Sequence, residues 1–221
     1  MNALDALRGI FALGGPVVAI LLVMSVLTFG VTLYKLWQFA ASGVGRHRVL
    51  CEALVAWDAG DRQAARARLA QSRSYLAPLL GSAMKSLDQP GIEGRLDAEA
   101  GLALAGLERG FRLLDTVAQL APLLGLFGTV LGMIEAFQSM QAGGSSVDPS
   151  LLAGGIWVAL LTTAVGLAVA MPTSMILAWL ESRTARERVF ADMALRTVLV
   201  PGQTIPAAAG AETPATAPSH A

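Results

Sequence analysis

Thirty consecutive residues, Leu151 to Leu180, carry no ionisable side chain. As a helix this run is about 45 Å long at ~1.5 Å per residue, against a hydrocarbon core of about 30 Å. A bilayer is the solvent that suits it, and inside a bilayer the backbone must satisfy its own polar groups, which selects a helix. Two further segments share the character. Val17 to Phe39 holds only Lys35, and Val117 to Phe137 holds only Glu135. The fold class is therefore an all-α membrane protein with transmembrane helices over 16–39, 113–140 and 151–180. The third run exceeds the roughly 20 residues a span needs, so it tilts or protrudes.

The rest of the chain has ordinary soluble composition. Charged residues make up 14% of the sequence, against about 25% for a soluble domain, and the deficit lies in the three apolar segments. The formal net charge is zero, which suggests no nucleic-acid partner. The single cysteine, Cys51, allows no internal disulfide and no cysteine-cluster metal site, and is expected to be a small buried or interfacial side chain. No cofactor or metal is expected. No enzyme is expected either: His47, between Arg46 and Arg48, reads as a solvated juxtamembrane residue with no nucleophile–histidine–carboxylate pattern around it.

The first apolar segment is too long for a signal-peptide core, and Asp5 sits in a flank where positive charge is wanted. It is expected to be retained. Gly14, Gly15 and Pro16 mark its start, while Tyr34, Trp37 and a snorkelling Lys35 mark its end. Leu4, Leu7, Ile10 and Phe11 recur at helical spacing before it, so 1–15 reads as an amphipathic helix on the membrane surface.

Residues 40–112 form a polar helical region. A stripe of Leu50, Leu54 and Trp57 ends at Asp58–Asp61, a second helix runs to about Ala70, and a third covers about Leu76 to Leu87. Gln89–Pro90–Gly91 is the strongest break. From Leu96 the apolar pattern runs on through Leu107, Phe111 and Leu114, predicting one unbroken helix to near Gln138, of order 60 Å long. A short loop spans 141–150. Amphipathic helix continues over 181–200, and 201–221, rich in Pro, Ala and Thr, is expected to be disordered. Arginine is dense in 43–112 and after 181 but absent from 141–150. That asymmetry puts the large polar region and the C-terminus in the cytoplasm, and the short loop and the N-terminus in the periplasm.

Segments two and three are loaded with small residues at helical spacing. Gly125, Thr129, Gly132 and Ala136 fall on one face of the first; Gly155, Ala159, Thr163, Gly166 and Ala170 fall on one face of the second. Such faces let helices approach closely in lipid, where packing replaces the hydrophobic drive. Two readings stay open. The faces line a narrow pore, or they are helix–helix interfaces whose threonine hydroxyls bond back to their own helix.

The wording of the two segments is specific. Ala121-Pro-Leu-Leu-Gly-Leu-Phe-Gly-Thr-Val-Leu-Gly-Met-Ile134 and Gly155-Ile-Trp-Val-Ala-Leu-Leu-Thr-Thr-Ala-Val-Gly-Leu167, the latter followed by Ala168-Val-Ala-Met-Pro172, resemble the second- and third-helix motifs of the ExbB/TolQ/MotA proton-channel family, most closely its ExbB/TolQ branch. The resemblance extends over about 1–190 and is densest over 121–172. It implies a channel-forming stator subunit of a proton-gradient-driven motor in the bacterial inner membrane, packed as a homopentamer. The implied partners are a single-span ExbD/TolR-like protein, which carries the ion-binding aspartate, and a TonB/TolA-like energy transducer. By position, Thr129 and Thr163 correspond to the pore-lining threonines, with Gly125, Gly132, Ala159 and Gly166 on the same faces. A hydroxyl donates to an ionised carboxylate and accepts from a protonated one, so it supports both states of a proton-cycling acid.

The chain departs from the pattern at Val158, where ExbB and TolQ commonly carry a glutamate. With no acid in the third span, the ion-carrying acid must come from a partner. Glu135, near one end of segment two, is a candidate entry acid, with an interfacial carboxylate as the plainer reading. Asp115 is expected to pair with Arg112 or Arg109. Pro122 and Pro172 each remove a helical hydrogen bond. A MotA-like flagellar or gliding stator and a non-conducting membrane scaffold are the competing functions.

Overall fold

The computed structural model describes residues 3–87, 89–142 and 149–202, and side chains within them except those of 3–14, 142, 149 and 151. Most of the 141–150 loop, nearly all of the 201–221 tail and the side-chain face of the 1–15 helix lie outside the described residues. Among the described residues seven helices follow in order: α1 (Ala3–Ala41), α2 (Arg48–Asp58), α3 (Arg62–Ala70), α4 (Ala77–Ala83), α5 (Ile92–Glu108), α6 (Phe111–Ala142) and α7 (Pro149–Leu199). Three segments within them are long and apolar enough to cross a membrane: Gly15–Ala41, Ile92–Gln141 and Leu152–Leu199.

The chain divides into two compact units. The first contains residues 1–41 and 104–186, the second 42–103 and 187–221.

In the first unit, α1 is broken where the sequence placed its start. Gly15 takes φ 64°, ψ −167°, a conformation that suits glycine, and Pro16 opens the helix beyond it. Val17 and Leu21 of α1 pack with Val117 and Ala121 of α6 and with Val169 and Ala170 of α7. Pro122 and Pro172 lie inside α6 and α7.

The single helix predicted from Leu96 to Gln138 is instead two. Gly110 adopts φ +97° and separates α5 from α6. The apolar pattern hid the break because it keeps phase across it: Leu107, Phe111 and Leu114 are all buried. The break also changes the role of Lys35. Rather than snorkelling, its side chain is 1% exposed. Its Nζ donates to the Leu107 carbonyl at 3.0 Å and to Gln38 Oε1 at 2.7 Å, while Gln38 Nε2 donates to the Gly106 carbonyl at 3.5 Å. Carbonyls at a helix C-terminus lack intrahelical donors and favour a cation. Gly110 suits this position because its φ of +97° is a conformation that side-chain-bearing residues rarely adopt.

The second unit has a core of water-soluble type. Leu50, Leu54 and Trp57 of α2, Leu76 just before α4, Leu80 of α4, Leu96 of α5 and Ala194, Leu195 and Val198 of α7 are each no more than a few per cent exposed. Trp57 Nε1 donates to the Val198 carbonyl at 3.1 Å. Asp61 caps α3 by accepting from the Ala64 amide at 2.9 Å. The third helix of this region is only Ala77–Ala83, shorter than the predicted 76–87.

Two expectations fail here. His47 is not simply solvated: its ring stacks on Phe190 at 3.9 Å, and Nε2 lies 3.0 Å from Glu187 Oε1. Glu187 is 1% exposed and also accepts from the Tyr75 hydroxyl at 3.2 Å, so the buried carboxylate has two partners. Burial and the Glu187 charge push the Tyr75 hydroxyl pKa well up. Cys51 is exposed on α2, which excludes the buried form of its expected role and leaves the interfacial one.

Candidate functional site: the α6–α7 seam

The small residues of α6 and α7 meet each other within one chain. The helices run antiparallel along a seam in which glycine is sterically required. A Cβ on Gly128 would lie 2.6 Å from Thr162 Oγ1, one on Gly155 2.6 Å from Ala136 Cβ, and one on Gly166 2.6 Å from the Ala121 carbonyl oxygen. On Gly125 it would be 3.0 Å from the Thr162 carbonyl, and on Gly132 3.1 Å from Ala159 Cβ. Gly125, Gly132, Ala159 and Gly166 are thus brought together as an intrachain interface, with Ala159 only 2% exposed. Close backbone approach of this kind is how helices associate in lipid.

The threonines sit in and beside this seam. Thr162 is 2% exposed; its Oγ1 donates to the Ala159 carbonyl at 2.7 Å and lies 3.2 Å from the Gly125 carbonyl. Thr163 Oγ1 donates across the seam to that same Gly125 carbonyl at 3.2 Å. Thr129, one turn beyond Gly125 on α6, is half-buried and donates to the Leu126 carbonyl of its own helix at 2.6 Å. Each hydroxyl has one proton and two lone pairs. As placed, Thr129 and Thr163 have spent the proton and can still accept. Donating to a carboxylate requires releasing a backbone carbonyl.

Gly125, Gly132 and Ala136 of α6 and Gly155, Ala159 and Gly166 of α7, grouped on one face each from the sequence, do meet in the seam. The contact rows are Ala121, Gly125, Gly128, Gly132 and Ala136 against Gly155, Ala159, Thr162 and Gly166, with Thr163 at the edge. Gly128 and Thr162 are the members that the faces read from the sequence left out; a row through Gly128 and one through Thr129 fit a 3.6-residue period equally well, as do rows through Thr162 and Thr163, so spacing alone does not separate them. Thr162 is consequently a packing residue.

Other candidates fall elsewhere. Glu135 is exposed on α6. Asp115 accepts from Gln119 Nε2 at 2.7 Å instead of pairing with Arg112 or Arg109; the i,i+4 amide on the same helix face is nearer. Among the described residues no group of three His, Cys, Asp or Glu could hold a metal ion.

Outward, the spans present large apolar side chains: Trp37 is 70% exposed, Trp157 64% and Met175 74%. A continuous apolar exterior of this kind needs lipid or a partner helix against it.

Residues 57–193 match the family model described as the MotA/TolQ/ExbB proton channel family. The chain is 35% identical over 174 residues to the putative biopolymer transport protein ExbB-like 1 of Synechocystis, covering 73% of this chain and 65% of that protein. It is 51% identical over 63 residues to the biopolymer transport protein exbB1 of Vibrio cholerae, covering 28% of each. It is 40% identical over 72 residues to the Tol-Pal system protein TolQ of Haemophilus influenzae, covering 33% of this chain and 31% of that one. The chain therefore spans under two thirds of the length of each of these relatives.

Proposed function

Because the chain belongs to the MotA/TolQ/ExbB proton channel family, we propose that it is the channel-forming stator subunit of a proton-gradient-driven motor in a bacterial inner membrane. It works with a single-span ExbD/TolR-like partner, and through a TonB/TolA-like transducer it energises an envelope process such as outer-membrane transport. The subunit is not itself an enzyme. Its polar region and C-terminus lie in the cytoplasm. Five copies surround the partner helices.

The observation that carries this reading is the pairing of a tight glycine seam with two hydroxyls at its margin, Thr129 and Thr163, in spans that hold no acid at mid-depth. The seam fixes the backbone, and the hydroxyls offer acceptors to a protonated partner carboxyl and, after a change of rotamer, donors to its ionised form. Each elementary charge moved is worth about 2.3 kcal/mol per 100 mV. The warrant for five copies is the family resemblance together with the apolar exterior. The small faces no longer argue for it, because they are used within one chain.

The test is proton flux through the complex reconstituted with its partner. Thr129→Val/Thr163→Val should assemble normally, by co-purification, and pass protons more slowly, because the charged carboxylate loses its donors. Normal flux in the assembled double variant would remove these residues from the ion path. A non-conducting scaffold is favoured by the intrachain use of the small faces, and it predicts no flux in the unaltered complex.

A further inference from the structure

Many cations of the second unit have a partner within the chain; Arg62 lies 3.7 Å over the Trp57 ring and Arg68 Nη1 donates to the Glu52 carbonyl at 3.2 Å. Arg48, Arg95 and Arg196 each bond an acid one turn away on the same helix: Glu52 at 3.2 Å, Glu99 at 2.9 Å and Asp192 at 3.2 Å. Arg66, Arg73 and Lys85 instead line one concavity of about 560 Å³ formed by α3, α4 and the chain around them. None of its lining residues is acidic. Its wall is apolar where Leu69, Ala77 and Pro78 contribute. Arg66 is held by one bond, Nη2 to the Met84 carbonyl at 3.3 Å, which uses one of five guanidinium donors. The hydroxyls of Ser72 and Ser74, also in the lining, accept from the amides of Ser74 and Leu76 at 3.3 Å each. Those bonds shape the turn and leave the hydroxyl protons for an acceptor.

The concavity's place in the chain indicates which anion. The Tyr75 amide donates to the Ser42 carbonyl at 3.2 Å. A Cβ on Gly43 would sit 3.1 Å from the Arg73 carbonyl oxygen, and Gly43 has φ +66°. Ser42 and Gly43 directly follow Ala41, where a membrane span ends. The 72–75 turn is thus tied to the residues that directly follow a membrane span in the chain, and we take this as the membrane–water boundary. There, basic residues meet anionic phosphates, and the apolar wall suits the glycerol end of an acyl chain.

We propose that the Arg66–Arg73–Lys85 concavity binds the phosphate headgroup of an anionic phospholipid. The lipid phosphate takes the place that acidic neighbours fill for Arg48, Arg95 and Arg196, and it holds α3 and α4 to the bilayer surface. The site is separate from the α6–α7 seam, so its failure would leave the channel reading untouched.

The experiment is native mass spectrometry of the full-length protein in detergent, titrated with phosphatidylglycerol or with phosphatidylcholine. Phosphatidylglycerol should be retained selectively. Arg66→Gln/Arg73→Gln/Lys85→Gln should weaken its binding roughly a hundredfold, whereas Arg48→Gln/Arg95→Gln/Arg196→Gln, with the same loss of charge, should leave it unchanged. Should the first variant aggregate, Lys85→Gln alone, at an exposed position, makes the same comparison with a smaller loss. Equal weakening in both variants, equal retention of phosphatidylcholine, or displacement of the lipid by excess inorganic phosphate would each overturn the proposal: the first leaves only diffuse charge, the second only acyl contacts, the third a soluble anion.

Discussion

The four tryptophans separate the two units. In the first, Trp37, Trp157 and Trp179 are 70%, 64% and 50% exposed; in the second, Trp57 is 1% exposed. The inversion extends to what fills the interior. The α6–α7 seam is built of glycine, alanine and threonine, while the second unit is built around leucines and a tryptophan. Water drives large apolar side chains inward; lipid does not, so in a bilayer close packing of small residues does the holding. Polar groups in the first unit bond both within a helix and across to a neighbour, as Thr163 does to the Gly125 carbonyl. The hydroxyls of Thr129, Thr173 and Ser174 bond carbonyls three or four residues back on their own helix. In the second unit, Tyr75 reaches Glu187 across 112 residues of sequence and Trp57 reaches Val198 across 141. Opposite substitutions should therefore damage the two units.

Trp57→Ala attacks the second unit at its largest buried side chain and removes the bond to the Val198 carbonyl. It should cost about 3–5 kcal/mol, read as faster tryptic cleavage at the exposed arginines of α3. Protection equal to the parent would mean that the core does not depend on Trp57. In the seam, enlargement is the damaging direction. Gly166→Leu places its Cβ against the backbone carbonyl of Ala121, which cannot swing aside as a side chain would. A loss of about 3 kcal/mol, at the upper end for overpacking, should appear as a lowered thermal midpoint in detergent. Gly101→Ala, where nothing lies within 4 Å of the added methyl, should leave that midpoint unchanged or slightly raised; a comparable drop in both would contradict the seam.

Lys35 is the exception within the first unit, a buried cation satisfying the end of α5. Lys35→Met keeps the length of the side chain but leaves the Leu107 carbonyl without its donor. The expected cost is about 2 kcal/mol, seen as faster hydrogen exchange at the start of α6, and unchanged exchange would show that the contact holds nothing. The smallest effect belongs to Thr162→Val, nearly isosteric and buried in the seam. Losing its bonds to Ala159 and Gly125 should cost about 1 kcal/mol. It should lower the midpoint without slowing proton flux in assembled complexes, whereas Thr129→Val should slow flux without lowering the midpoint.

What local sequence encodes is periodicity and charge, and these were enough for the three spans, the Gly15–Pro16 start, the α2–α3 break at Asp58–Asp61 and the existence of a small-residue face on α6 and on α7. Each of these is settled within a few helical turns by the solvent the segment must meet. The same information placed Thr129 and Thr163 on those faces and left out Gly128 and Thr162, because one residue is about 100° of helix and only the facing backbone says which side is crowded. Gly110 escaped notice because a lone glycine in phase with its neighbours does not interrupt an apolar pattern; it breaks the helix where Lys35, 75 positions earlier, takes the freed carbonyl. Glu187 looked like one charge among several on an amphipathic helix, yet it is buried because His47 and Tyr75 arrive from distant parts of the chain to satisfy it. Burial of a polar group is a bargain between partners, and only the tertiary structure brings such partners together.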